Sequence, residues 1–134
     1  MNVLPEKFEV LVSHGPPLCG PGWLGELSGF LAPAGVVFTR VHTGADAVLR
    51  VEQGGLAGAM VIADPVQIDG LSLLRLIRSV DGTLPCWLVI EHTTRRTLQV
   101  ALSLGVVSVI AQPVRVDELT FAMKRVLIHA GEQN

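Results

Sequence analysis

The chain has 134 residues, of which 49% are apolar and 16% charged, with a mean hydropathy of +0.51. That is too apolar for intrinsic disorder and long enough for a single buried core. Ten Lys and Arg against twelve Asp and Glu leave a formal charge of −2, which excludes a generally basic nucleic-acid binder and a polybasic membrane anchor.

The N-terminal residues lack the basic-then-apolar profile of a secretory signal, and no apolar run approaches the roughly 18 residues of a membrane span. Cys19 and Cys86 are far apart and fit no zinc-ligand or Cys-x-x-Cys spacing, so both read as reduced, inert thiols of a cytoplasmic protein. From about residue 8, short apolar runs alternate with longer segments whose apolar residues fall three and four apart. The first run is Val10-Leu11-Val12. A helix over about Gly22 to Leu31 follows, burying Leu24, Leu27 and Leu31, although its glycines weaken it. Next come the run Val36-Val37-Phe38 and a helix that opens at Thr43, where Thr43-x-x-Asp46 resembles a capping box, and stops at Gly54-Gly55.

The third run, Met60 to Ala63, leads to a helix over about Gly70 to Val80 with Leu71, Leu74 and Ile77 on one face and a stop at Asp81-Gly82. After Trp87 to Ile90, a helix over about Thr94 to Leu104 is expected to turn Leu98, Ala101 and Leu102 inward, with Gly105 ending it. The run Val106 to Ile110 precedes a helix over about Asp117 to His129 in which Leu119, Met123 and Val126 share a face. Its early Asp117-Glu118 and late Lys124-Arg125 match the helix dipole. The runs are continuous, as strands covered on both faces should be.

Five such units predict one three-layer, doubly wound domain with a parallel sheet in the flavodoxin-like order 2-1-3-4-5 and a site beyond the carboxyl ends of the strands. Those ends are Ser13-His14, Asp64-Pro65, Glu91-His92-Thr93 and Gln112-Pro113.

Four segments in this order resemble the CheY-like receiver domain of two-component response regulators over about residues 8 to 130. They are Thr43 to Ala47, Asp69 to Leu74, Leu104-Gly105-Val106 and Gln112 to Leu119. The resemblance implies a non-enzymatic signalling module. It also implies an acidic pair after strand one that holds Mg²⁺, an acceptor aspartate ending strand three, a Ser or Thr ending strand four, and a Lys before the strand-five proline. Metal and lysine together neutralise charge on the phosphoryl oxygens in such chemistry.

Here those positions hold Ser13 and His14, Ile62 or Asp64 depending on register, Ile90 (with Thr93 or Thr94 as substitutes if the strand were longer), and Gln112. The resemblance therefore points to a degenerate receiver with no catalytic residue, no metal and no cofactor, acting through protein contacts. Its partner would be a histidine kinase, an output domain or a second copy of itself, with no nucleic acid or membrane. Family members commonly make such contacts through helix four, strand five and helix five, where Arg95, Arg96, Lys124 and Arg125 would be presented.

Two alternatives stay open. In one, Asp64 is the phosphoacceptor of a phosphorelay and Mg²⁺ is bound with help from Glu91 or His92; in the other, the chain is a small flavodoxin-like enzyme or nucleotide-binding protein. Against the first, an Asp before Pro65 is also an ordinary turn former. His14, His92, Asp64 and Glu91 could together ligate a transition metal, but their spacing is no ligand motif. In the loop from Gly15 to Gly22, Pro16, Pro17 and Pro21 delete the N–H donors a phosphate cradle needs. It reads instead as a rigid connection.

Overall fold

The structure, a computed structural model, describes residues 7–15, 20–64 and 69–132, the last four of them by backbone alone. Cys19, Pro16, Pro17 and Pro65 lie outside these residues, and so does what was expected of them. In chain order the elements are β1 (Phe8–Ser13), α1 (Gly22–Leu31), β2 (Val36–Val41), α2 (Gly44–Glu52), β3 (Gly58–Ile62), α3 (Gly70–Val80), β4 (Cys86–Ile90), α4 (Arg95–Ser103), β5 (Ser108–Ala111) and α5 (Val116–Glu132). All neighbouring strands pair in parallel, in the order β2-β1-β3-β4-β5.

Successive strand residues point to opposite faces, and this alternation builds two cores. Val10, Val12, Met60, Ile62, Trp87 and Val89 face α1 and α5, meeting Leu24, Leu27, Leu31, Leu119 and Met123. Leu11, Ala59, Val61, Leu88 and Ile90 face α2, α3 and α4, meeting Ala47, Val51, Leu74, Ile77 and Ala101. The three central strands are covered on both faces, as their continuous apolar runs require. The outer strands β2 and β5 are not: Val37 and Ala111 are exposed and most of their neighbours only half-buried.

Helix starts follow the local chemistry. Thr43 Oγ1 accepts from the Asp46 N–H, Thr94 Oγ1 from the Thr97 N–H, and the Asp69 carboxylate from the Ser72 N–H and hydroxyl; each such cap is worth about 1 kcal/mol. α1 starts at Pro21 without a side-chain cap and is held by its three buried leucines.

Two expectations are corrected. In α4, Leu98 and Leu102 are 38% and 54% exposed; the inward stripe is instead Thr97, Val100, Ala101 and Leu104. Both stripes have helical spacing and share Ala101, so periodicity alone does not choose between them, and the end of the sheet leaves only one to cover. α5 runs on to Glu132, which places Lys124 and Arg125 in mid-helix, away from the C-terminal turn where the dipole would favour them. The strand boundaries shift by one or two residues: Ala63 follows β3, and β5 starts at Ser108.

A side chain that periodicity does not mark holds the α3–β4 and α4–β5 corners together. Arg78 donates from Nε to the Leu104 carbonyl, from Nη1 to the Leu84 carbonyl and from Nη2 to the Gly105 carbonyl, at 2.6, 2.6 and 3.0 Å. It satisfies carbonyls at the end of α4 and the entry to β4, of which that of Leu84 also accepts from the Cys86 thiol.

Candidate functional site

In this strand order the chain leaves β1 for β2 on one side and then crosses to β3 on the other, so the crevice of the fold opens between the carboxyl ends of β1 and β3. Ser13 closes the β1 ladder opposite Val41 and Val61, and the His14 N–H extends it to the Val41 carbonyl. Ser13 and His14 are 0% and 1% exposed. His14 Nδ1 donates to the Gly15 carbonyl at 2.8 Å, while His14 Nε2 and Ser13 Oγ have no hydrogen-bond partner among the described residues. Packed edge-to-face on the His14 ring, with centroids 4.7 Å apart, is the exposed His42, whose Nδ1 lies 3.4 Å from the His14 carbonyl.

Across the crevice, Ile62 is the last residue of β3, paired with Val89 and buried among the residues under α1 and α5. Asp64 lies two residues beyond. Its carboxylate stands against Gly15, where an added Cβ would come within 2.9 Å of Asp64 Oδ2 and the carboxylate would have to shift. Ile90 ends β4, buried on the opposite face. Gln112 is exposed, its N–H donating to the Ile90 carbonyl and its bond to Pro113 cis. Ser13, His14 and Asp64 therefore stand at the ends of β1 and β3 that border the crevice, Asp64 against Gly15, whereas Ile62 and Ile90 turn into the two cores.

Oxygen-rich, octahedral coordination is what Mg²⁺ demands. The end of β1 supplies a hydroxyl and an imidazole in place of two carboxylates, and among the described residues no three His, Cys, Asp or Glu side chains gather into a metal-binding group. These donors do not fit a receiver-type Mg²⁺ site. His92 and Glu91 are exposed at the end of β4 and form no ligand cluster with His14 and Asp64. Cys86, by contrast, is a core residue: its thiol donates to the Leu84 carbonyl at 3.3 Å, and burial pushes its pKa up to about 11. A thiol held so firmly in its neutral form is a poor nucleophile.

At the far edge of the sheet a groove of about 730 Å³ runs between β5 and α5. Its apolar lining includes Trp87, Val107, Ile110, Leu119, Phe121 and Val126, and its charged lining is Arg115, Glu118 and Arg125. Phe121 is 65% exposed, with the Arg125 guanidinium 5.9 Å from its ring centre. Arg95 and Arg96 are exposed at the start of α4, and Lys124 is half-buried.

Solved structures with the same architecture include several receivers. The fold is that of CheY-like receiver domains. A CheY-like response-regulator receiver from Methanospirillum hungatei JF-1 superposes with a TM-score of 0.75 at 15% identity, over 96% of this chain and all of that one, 100%. An orphan response regulator of Helicobacter pylori gives 0.74 at 18% identity, over 90% and 96% of the two chains. The receiver domain of a sensor histidine kinase from Pseudomonas aeruginosa PAO1, which holds a magnesium ion in its active-site cleft, gives 0.70 at 22% identity, over 91% and 98%. No protein-family profile matches the sequence, and no curated protein resembles it. Among the described residues, no helix of this receiver fold is long and apolar enough to cross a membrane.

Three features of the site escape a reading of the sequence. His42 belongs to β2's end and meets His14 only through strand pairing. The close approach of Gly15 and Asp64 spans 49 positions. The groove depends on α5 leaving the β5 edge open, although the exposed Phe121 beside Ala122, between Glu118 and Arg125, is a signal that helical spacing offers.

Proposed function

We propose that this chain is a degenerate receiver: a cytoplasmic, non-enzymatic signalling module that works by protein contact and not by aspartyl phosphorylation. The observation that carries this reading is the end of β1, where Ser13 and His14 are buried and supply no carboxylate. Without a cation there, and with Gln112 where a lysine would neutralise phosphoryl charge, a carboxylate is a poor phosphoryl acceptor. The scaffold, by contrast, is complete. Four of its exposed large apolar residues, Leu98, Leu102, Val107 and Phe121, lie on α4, the turn into β5 and α5, together with Arg95, Arg96, Lys124 and Arg125. A surface of this kind fits a protein partner such as a kinase, an output domain or another copy.

Titrating isotope-labelled protein with MgCl₂ and beryllofluoride tests the reading. Amide resonances of residues 13–15, 62–64 and 112 are expected to stay in place, and saturable shifts centred on Asp64 would overturn it.

One observation favours a second reading: the Asp64 carboxylate stands at the crevice mouth against Gly15, within the region where a receiver would present its acceptor. On that reading a small phosphodonor gives a hydroxylamine-labile phosphate adduct, seen by intact mass and absent from Asp64→Asn.

A further inference from the structure

Trp87 is fully buried yet lines the groove between β5 and α5, and its indole Nε1 has no hydrogen-bond partner among the described residues. Buried N–H groups are nearly always paired, so a donor left without an acceptor calls for a physical explanation. The way the ring lies supplies one. Trp87 pairs with Met60 of β3 on one side and with Ser108 of β5 on the other. A Cβ on Gly58 of β3 would come within 2.8 Å of Trp87 Cζ3, so the six-membered ring reaches over β3. Nε1 is at the opposite end of the indole, and that end is directed toward β5 and the groove.

The rest of the groove fits an occupant with an apolar body and a negative end. Its volume of about 730 Å³ falls within the roughly 300–1,000 Å³ of small-molecule sites, and Val107, Ile110, Phe121 and Val126 give it apolar walls. At its rim, Arg115 and Glu118 hold each other at 3.3 Å. Arg125 meets no carboxylate among the described residues, and its guanidinium lies over the Phe121 ring. The groove therefore offers a neutral donor at its floor and a cation at its rim, with hydrocarbon between them, which is the make-up of a ligand site.

We propose that this groove binds a small amphipathic carboxylate. The carboxylate is held by Arg125, the apolar body lies along Phe121 and Val126, and a carbonyl oxygen part-way along it accepts from Trp87 Nε1–H. A pure hydrocarbon would leave the indole donor without an acceptor, and a cation would meet Arg125 as a like charge. Such a site needs nothing of the crevice residues, so it holds whether or not Asp64 accepts a phosphoryl group.

4-Benzoylbenzoate has all three parts and serves as the probe; 4-benzylbenzoate, with a methylene in place of the ketone, lacks only the acceptor. The chain has two tryptophans, so ¹H–¹⁵N spectra of the labelled protein carry two indole signals, told apart with Trp23→Phe. On titration with 4-benzoylbenzoate the Trp87 indole signal is expected to move downfield and saturate, with a dissociation constant at or below about 1 mM, while that of Trp23 stays in place. 4-Benzylbenzoate is expected to bind at least about threefold more weakly and without the downfield shift, since a site built to hydrogen-bond an oxygen rejects the analogue that lacks it. Arg125→Gln, at an exposed position, is expected to weaken 4-benzoylbenzoate by about two- to fivefold, and Arg125→Lys to restore most of the loss.

The comparison of the two compounds is made on the wild type, so no damage to the fold enters it. A Trp87 signal that stays in place, equal binding of ketone and methylene compounds, or an Arg125→Gln chain that binds as tightly as the wild type would overturn the site. None of these outcomes touches the degenerate-receiver reading, which the beryllofluoride titration tests at Ser13, His14 and Asp64.

Discussion

Arg50 holds Glu9 with two hydrogen bonds, Nε to Oε2 at 3.1 Å and Nη2 to Oε1 at 2.7 Å. Thr39 Oγ1 adds a third to Oε2 at 2.6 Å, so a single carboxylate ties β1, β2 and α2 together at the end of the sheet remote from the crevice. The Arg50 guanidinium, and then the Thr39 hydroxyl, hold the Glu9 carboxyl below its usual pKa of 4.5.

The acid limb of stability follows from that direction. The Ser72 hydroxyl and N–H lower Asp69, and the Thr83 N–H lowers Asp81. All three groups have folded pKa values below their unfolded ones. Their contribution is therefore full above about pH 5 and is lost as pH falls through about 4 and below. Chemical denaturation at a series of pH values should show a decline confined to that window, and Glu9→Gln should be less stable at pH 7 but lose less on acidification.

Arg78→Ala removes donors from the Leu84, Leu104 and Gly105 carbonyls at once. We expect a loss of about 2–4 kcal/mol in urea unfolding, since bonds to charged donors are the stronger ones and the carbonyls are left partly buried. A loss below about 0.5 kcal/mol would show that water replaces the guanidinium.

Gly70 opens α3 where an added Cβ would come within 2.8 Å of Leu88 Cδ1 and 3.1 Å of the Ala63 Cβ. Helix propensity alone would make Gly70→Ala stabilising by up to about 1 kcal/mol. Packing against β3 and β4 should reverse the sign, to a loss of about 1–3 kcal/mol. The sign of the change in thermal midpoint decides between them.

The orientation of α4 can be checked in the same way. Leu102→Gln, at an exposed position, should change stability by no more than about 0.5 kcal/mol, whereas Ala101→Met, at a fully buried one, should cost about 1–3 kcal/mol through overpacking. Ala101 belongs to both stripes and serves as the buried reference, so a loss above about 1 kcal/mol from Leu102→Gln would put the inward stripe back on Leu98 and Leu102.

Much of the architecture was legible from residue order. Leu24, Leu27 and Leu31 in α1, Leu74 and Ile77 in α3 and Leu119 and Met123 in α5 are all buried as their spacing predicts, because a central helix has one stripe that can meet the sheet. α4 was not legible in the same way: it lies toward the sheet's edge, where two overlapping stripes compete and the area available for burial chooses. That Ser13 and His14 stand at the end of β1 could be read from sequence, but not that both side chains are buried with polar atoms that have no partner among the described residues, nor that His42 packs on His14.

By itself, then, the sequence determined the alternation of strands and helices, the caps at Thr43, Asp69 and Thr94, and which residue types stand at the strand ends, since these depend on neighbours along the chain. The tertiary structure decided which face each strand residue serves, the turn of α4, the meeting of Gly15 with Asp64 and the open groove beside α5. Those depend on groups tens of residues apart being brought within van der Waals distance, and only the pairing register and packing of the whole sheet bring them there.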